Sequence, residues 1–215
     1  MESAGARVVP LIFGGDLETE LAKIPHLNGV FYAGGEANGI DYWDFARSIY
    51  LKVKEENDKG TFYPLWGTCL GMQNLVTFEA AKGRKALASY PNPNESAVIK
   101  FQTHHGLTSL FSIFSTDDLE ILERLKTSYL VHKFGFDPKL FTEDAGLHAF
   151  FDVLAVQTDV HQKDFVAIVE AKKYPFYGVQ FHPEKQMAIF APELDLNQSW
   201  DSVKVNRRFA DFFVG

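Results

Sequence analysis

Short runs rich in β-branched and aromatic residues alternate with amphipathic stretches along most of the chain. This is the pattern of helices laid on both faces of a largely parallel sheet. Arg7 to Phe13 is predicted as an early strand, and Gly29 to Tyr32 as a second that ends at Gly34-Gly35. Between Asp41 and Asn57, the apolar residues Tyr42, Phe45, Ala46, Ile49, Tyr50 and Val53 recur at helical spacing. That predicts a surface helix capped by Asp41 and finished near Gly60. A strand from Phe62 to Trp66 then enters Gly67-Thr68-Cys69-Leu70-Gly71, and a helical stretch follows through Ala80. Further strands are predicted at Ala97–Gln102, Ser128–Phe134, Phe151–Thr158, Phe165–Ala171 and Tyr174–Phe181, several of them antiparallel, with helices at Asp117–Lys126 and Trp200–Val214. The Pro/Asn cluster from Tyr90 to Asn94 and the stretch from Asp137 to Gly146 read as loops, neither long enough to link domains. Residues 1–215 therefore form one α/β domain.

Composition narrows the functions open to such a domain. With 46% hydrophobic residues in 215, a core can be buried without metals or disulfides. Lys and Arg total 21 against 28 Asp and Glu, a net charge of −7, which offers no cationic field for a nucleic acid. No apolar run approaches the roughly 18 residues that cross a bilayer, and Met1 is followed by Glu2 rather than by a basic patch and a hydrophobic signal core. The single cysteine excludes an internal disulfide and a cysteine-rich metal site. Asn94-Glu95-Ser96 and Asn197-Gln198-Ser199 are weak glycosylation sequons.

The same cysteine is the first candidate for chemistry. A nucleophile on a tight strand-to-helix turn needs small neighbours, and Gly67 and Gly71 supply them around Cys69. The helix that follows turns its amino end toward sulfur, where its partial charge favours thiolate. Leu70 N–H, with a second donor from Gly34-Gly35, suits an oxyanion. A thiolate needs a base with an orienting partner, and His182-Pro183-Glu184 provides both at the end of a β-rich run. If that run is extended, His182 and Glu184 point to one side, and Cys69, His182 and Glu184 form a triad. A lone glycine-flanked cysteine is more often a small core residue, so the pairing with His182 carries the catalytic reading. The neighbouring pair His104-His105 carries no comparable signal, and no metal or cofactor is predicted.

Pro64-Leu65-Trp66-Gly67-Thr68-Cys69-Leu70-Gly71 and Tyr174 through Lys185 (YPFYGVQFHPEK) resemble the two signature segments of γ-glutamyl hydrolases, enzymes that cleave folate polyglutamates. Glu2 to Pro10, Asn28 to Phe31 and Phe209 to Val214 extend the resemblance over nearly the whole chain. It implies the three-layer αβα sandwich of class I glutamine amidotransferases, flavodoxin-like, with a mostly parallel central sheet. It also implies Cys69 as nucleophile, His182 as base and Glu184 as its partner. Leu130-Val131-His132-Lys133-Phe134 is similar to a family segment whose histidine lies near the substrate. On sequence alone, His132 is equally readable as a strand-end residue exposed to solvent. A folate poly-γ-glutamate substrate, a homodimer, and a lysosomal, vacuolar or extracellular location are further implications of the resemblance.

Three positions depart from the family. Ala33 precedes Gly34-Gly35 where the family has proline, and Gln73 stands where many members carry glutamate. Gln73 is the type more usual in amidotransferases, whose glutaminase half is the rival reading. The third departure is the start of the chain, which looks amino-terminally truncated, without the family's first strand and most of its first helix. Such a loss is expected to uncover an edge of the strand from Phe62 to Trp66, and it raises a third reading, a truncated pseudoenzyme that folds poorly or only binds partners.

Overall fold

The computed structural model describes residues 1–37, 39–102 and 108–215, so the His104-His105 pair lies outside the described residues. Eight strands are described: β1 (Val30–Tyr32), β2 (Leu65–Thr68), β3 (Ala88–Ala97), β4 (Lys100–Phe101), β5 (Ser128–Gly135), β6 (Phe151–Thr158), β7 (Asp164–Ala171) and β8 (Phe176–Val179). Six of them form the central sheet in the order β1-β2-β8-β7-β6-β4, while β3 and β5 pair separately. The helices are α1 (Leu17–Lys23), α2 (Ile40–Asp58), α3 (Leu70–Glu79), α4 (Thr116–Arg124), α5 (Leu140–Glu143), α6 (Ala145–Phe150), α7 (Lys185–Ala188) and α8 (Trp200–Val214).

Alternation along the central strands builds two cores. Leu65 and Phe176 join Ile49, Val53 and Leu75 of α2 and α3 on one face. Trp66 and Tyr177, one residue along, join Leu122, Val205 and Phe209 of α4 and α8 on the other. This is the expected three-layer α/β arrangement, but its sheet is mixed rather than mostly parallel. β1, β2 and β8 run parallel, whereas β8–β7, β7–β6 and β6–β4 are antiparallel. Short connections between β6, β7 and β8 force that reversal, because a parallel return needs a crossover of a dozen residues or more.

Five local expectations are corrected. Arg7–Phe13 forms no strand; Val8 is 57% and Val9 48% exposed, and no neighbour supplies ladder bonds. β2 has no uncovered edge, since β1 and β8 flank it, and the outer strands of the described sheet are β1 and β4. The N-cap of α2 is Gly39 without a side-chain cap, and Asp41 sits inside the first turn, where its charge still favours the helix end. The proline-rich loop is the middle of β3, which meets β5 across two register shifts either side of Asn92. Pro91 and Pro93 are tolerated because a two-stranded sheet is all edge. The stretch from Asp137 also holds α5 and the start of α6, the latter capped by Asp144, which accepts from Gly146 N and Leu147 N.

Candidate active site

Cys69 is the turn between β2 and α3, at φ 52° and ψ −108°, a left-handed backbone that a side chain adopts only when its surroundings enforce it. The surroundings do so from three directions. Cys69 N–H donates to Val179 O at 2.8 Å, tying the turn to β8. Gln73 N–H donates to Cys69 O at 3.0 Å, starting the helix. A Cβ on Gly67 would lie 2.6 Å from Gly71 C, and one on Gly71 would collide with Tyr32 O, so both glycines allow α3 to begin directly against β1 and β2.

His182 is buried, and its main-chain N–H donates to Tyr129 O of β5 at 2.9 Å. Its Nδ1 lies 2.7 Å from Glu184 Oε1, and it hydrogen-bonds Cys69, so the opposite ring nitrogen faces sulfur. Burial opposes a charge on this ring, but the hydrogen bonds to Cys69 and Glu184, with their negative charge, outweigh it and push His182 up to about 9. The triad residues therefore meet, although not by strand alternation. β8 ends at Val179, and Glu184 reaches the ring from a helical turn at φ −77°, ψ −25°, its side chain half exposed.

Gly34 and Gly35 continue from the end of β1. A Cβ on Gly34 would sit 2.6 Å from His182 Cε1 and 3.3 Å from Cys69 Cβ, so only glycine lets this loop lie on those two side chains. Gly35 sits beside Leu70, the first residue of α3, whose N–H has no intrahelical acceptor. The residues expected to supply the two oxyanion donors are thus neighbours.

His132 is buried, not an exposed strand end. It faces Asn92 across the β3–β5 ladder and packs edge-on against Phe165 with ring centroids 4.9 Å apart. Burial lowers it to about 4, and the charge of His182 adds to the effect. Gln73 is buried one turn beyond Cys69, and its Nε2 donates to Phe134 O at 2.8 Å and to Gln180 Oε1 at 3.2 Å. Sequence reasoning missed two members of this polar wall, the fully buried Asn92 and Gln180. Gln180 stands inside the segment around His182 and was findable there. Asn92 was hidden between two prolines that mark a turn.

A model of the class-I glutamine amidotransferase family matches residues 47–199. Mouse γ-glutamyl hydrolase is 33% identical over all of this chain, which covers 67% of the mouse protein. The chain belongs to the γ-glutamyl hydrolases of that family. γ-Glutamyl hydrolase 1 of Arabidopsis thaliana is 32% identical over 99% of this chain and 61% of its own length, so residues 1–215 span about three-fifths of that relative. Among solved structures, the glutaminase domain of Trypanosoma brucei CTPS with bound acivicin superposes with a TM-score of 0.56 at 18% identity, over 90% of this chain and 75% of that one. This likeness shows the shared fold. No helix among the described residues of this γ-glutamyl hydrolase relative is long and apolar enough to cross a membrane.

Proposed function

We propose that this chain hydrolyses γ-glutamyl amide bonds of folate and antifolate poly-γ-glutamates through a thioester on Cys69. The observation that carries the reading is His182, buried, bonded to both Cys69 and Glu184, and raised to about 9. At neutral pH its ring holds a proton beside sulfur. Sγ of Cys69 attacks the γ-carbonyl carbon, the carbonyl oxygen takes up charge near Leu70 and Gly35 N–H, and His182 gives its proton to the departing amine as the C–N bond breaks. The neutral ring then takes a proton from water, whose oxygen attacks the thioester carbon and releases the shortened product and Cys69. Glu184 keeps the imidazole oriented and balances its charge. His132, neutral because of burial, and Gln73, through the amide oxygen not spent on Phe134 and Gln180, border the glutamyl chain. The family resemblance supports action as a homodimer in a lysosome, a vacuole or outside the cell.

Incubation with a pteroyl-polyglutamate and, separately, with free glutamine tests the reading. Shortened folate without ammonia release is the expected result. Ammonia from glutamine without folate shortening would replace it with the glutaminase reading, which the likeness to a glutaminase domain and Gln73 favour.

A further inference from the structure

Glu184 is held through one oxygen, Oε1 at 2.7 Å from His182 Nδ1, and its side chain is half exposed. The aim of such a carboxylate is set by the backbone that carries it. That backbone is the N-cap of α7, a helix of four residues, too short to persist on its own hydrogen bonds. Something outside α7 must therefore hold it.

The hold comes from Gln186, two residues after Glu184. Its side chain is buried, and Nε2 donates to Thr127 O at 2.8 Å. Thr127 immediately precedes β5, and two residues further on Tyr129 O accepts the main-chain N–H of His182 at 2.9 Å. The base and its carboxylate partner thus hang from one short stretch, Thr127 to Tyr129, the first through a backbone bond and the second through Gln186. At its far end α7 is capped by Gln198, whose Nε2 donates to Ile189 O at 2.7 Å and to Gln186 O at 3.3 Å.

Stability alone does not call for glutamine here. Gln186 Oε1 is buried and unpartnered among the described residues, a cost that an apolar side chain of similar volume would avoid. Thr127 O does not depend on Gln186 either, since Asn206 Nδ2 donates to that oxygen at 2.8 Å and Ser202 Oγ at 3.4 Å. What an apolar replacement would lose is a side-chain bond that ties α7 to the entry of β5.

We propose, on the basis of the roles given above to Cys69, His182 and Glu184, that Gln186 is a positioning residue: through Thr127 O it fixes the turn from which Glu184 reaches His182. Burial pulls the His182 ring down, and the hydrogen bonds and charges of Cys69 and Glu184 raise it to about 9; His132 is a further titratable group that senses its charge. With Glu184 turned away, the pKa of His182 falls, and the protonated ring that serves the leaving amine is lost at a lower pH.

The test is Gln186→Met, which keeps the volume and removes the donor, with Ser202→Ala as control because it removes a donor to the same Thr127 O from α8. By NMR of protein isotope-labelled at histidine, the His182 ring of Gln186→Met is expected to titrate about one pH unit or more below that of the parent, and that of Ser202→Ala to match the parent. In steady-state cleavage of a pteroyl-polyglutamate, kcat of Gln186→Met is expected to fall by about tenfold or more with KM little changed, and the alkaline limb of kcat/KM to move to lower pH. On a Glu184→Ala background, where no carboxylate is left to misplace, the same substitution is expected to change kcat by less than about twofold. Gln198→Ala, at an exposed residue, loosens α7 from its other end and is expected to give a smaller shift of the same sign, which serves as the readout if Gln186→Met does not fold. The titration needs no substrate, so a shifted His182 in a protein that fails to shorten folates would count against the substrate reading and leave this role standing. An unchanged His182 titration in Gln186→Met, or in Gln198→Ala where the first variant does not fold, an equal shift in Ser202→Ala, or a full further loss of kcat on the Glu184→Ala background would overturn the proposal.

Discussion

β1 and β2 lie side by side in register from Val30↔Leu65 to Tyr32↔Gly67, yet all four residues of β2 are buried, whereas Phe31, in the middle of β1, is 40% exposed. The contrast comes from neighbours rather than composition. β2 has a parallel partner on each edge and a packed layer on each face, and it ends in a residue held at φ 52°. Strain of that kind persists only where the surroundings over-determine the backbone. β1 has one partner in the described sheet. The strained Cys69 sits at the end of the strand with both neighbours, and the glycine loop that touches it sits at the end of the strand with one.

The largest effect is expected where the catalytic side of this contrast is broken. His182→Ala should lower folate-polyglutamate cleavage by about ten-thousandfold or more while leaving the far-UV spectrum close to that of the parent, measured by steady-state kinetics and circular dichroism. Gly71→Ala tests the packing behind it, since the new Cβ would meet Tyr32 O. Urea denaturation should show a loss of about 2 kcal/mol, together with reduced turnover as Cys69 is displaced. Glu184→Gln should cost less, about a hundredfold in kcat, because the carboxylate is half exposed and an amide can still orient the ring. At the β1 edge, Val8→Ala should change stability by less than about 0.5 kcal/mol, as befits an exposed side chain.

The two buried histidines sharpen the contrast through pH. His182 is raised from 6.5 to about 9, so its contribution to stability is fully present below pH 6.5 and is lost as pH rises toward 9. His132 is lowered from 6.5 to about 4, so its contribution is present above pH 6.5 and is lost as pH falls toward 4. Melting curves across pH should decline on both sides. His132→Gln should flatten only the acid limb, and His182→Gln only the alkaline one.

The sequence exposed the chemistry better than the edges of the fold. Gly67, Gly71 and the His182-Pro183-Glu184 run marked residues that the structure brings together, because a tight strand-to-helix turn tolerates few alternatives, and the apolar stripe of α8 placed that helix at Trp200–Val214. Strand pairing was less legible. Arg7–Phe13 has strand composition, but a strand exists only with a partner, and composition does not say whether one is present. Pro91 and Pro93 signalled a turn, whereas the short β3–β5 sheet has edges on which proline costs no ladder bond. Local spacing brought His182 and Glu184 together for the wrong reason, since a helical turn, not an extended run, delivers the carboxylate. The burial of His132 and Asn92 depends on β3 packing over β5, contacts that no local pattern encodes.

The central claim is a covalent intermediate on Cys69, and rapid acid quenching of enzyme mixed with a pteroyl-polyglutamate, followed by intact-protein and peptide mass spectrometry, tests it most directly. The account predicts a transient acyl adduct on the peptide containing Cys69, sensitive to hydroxylamine as a thioester is, and absent from Cys69→Ser at the same times. Folate shortening at the wild-type rate by Cys69→Ser, or an adduct on any other residue, would contradict it.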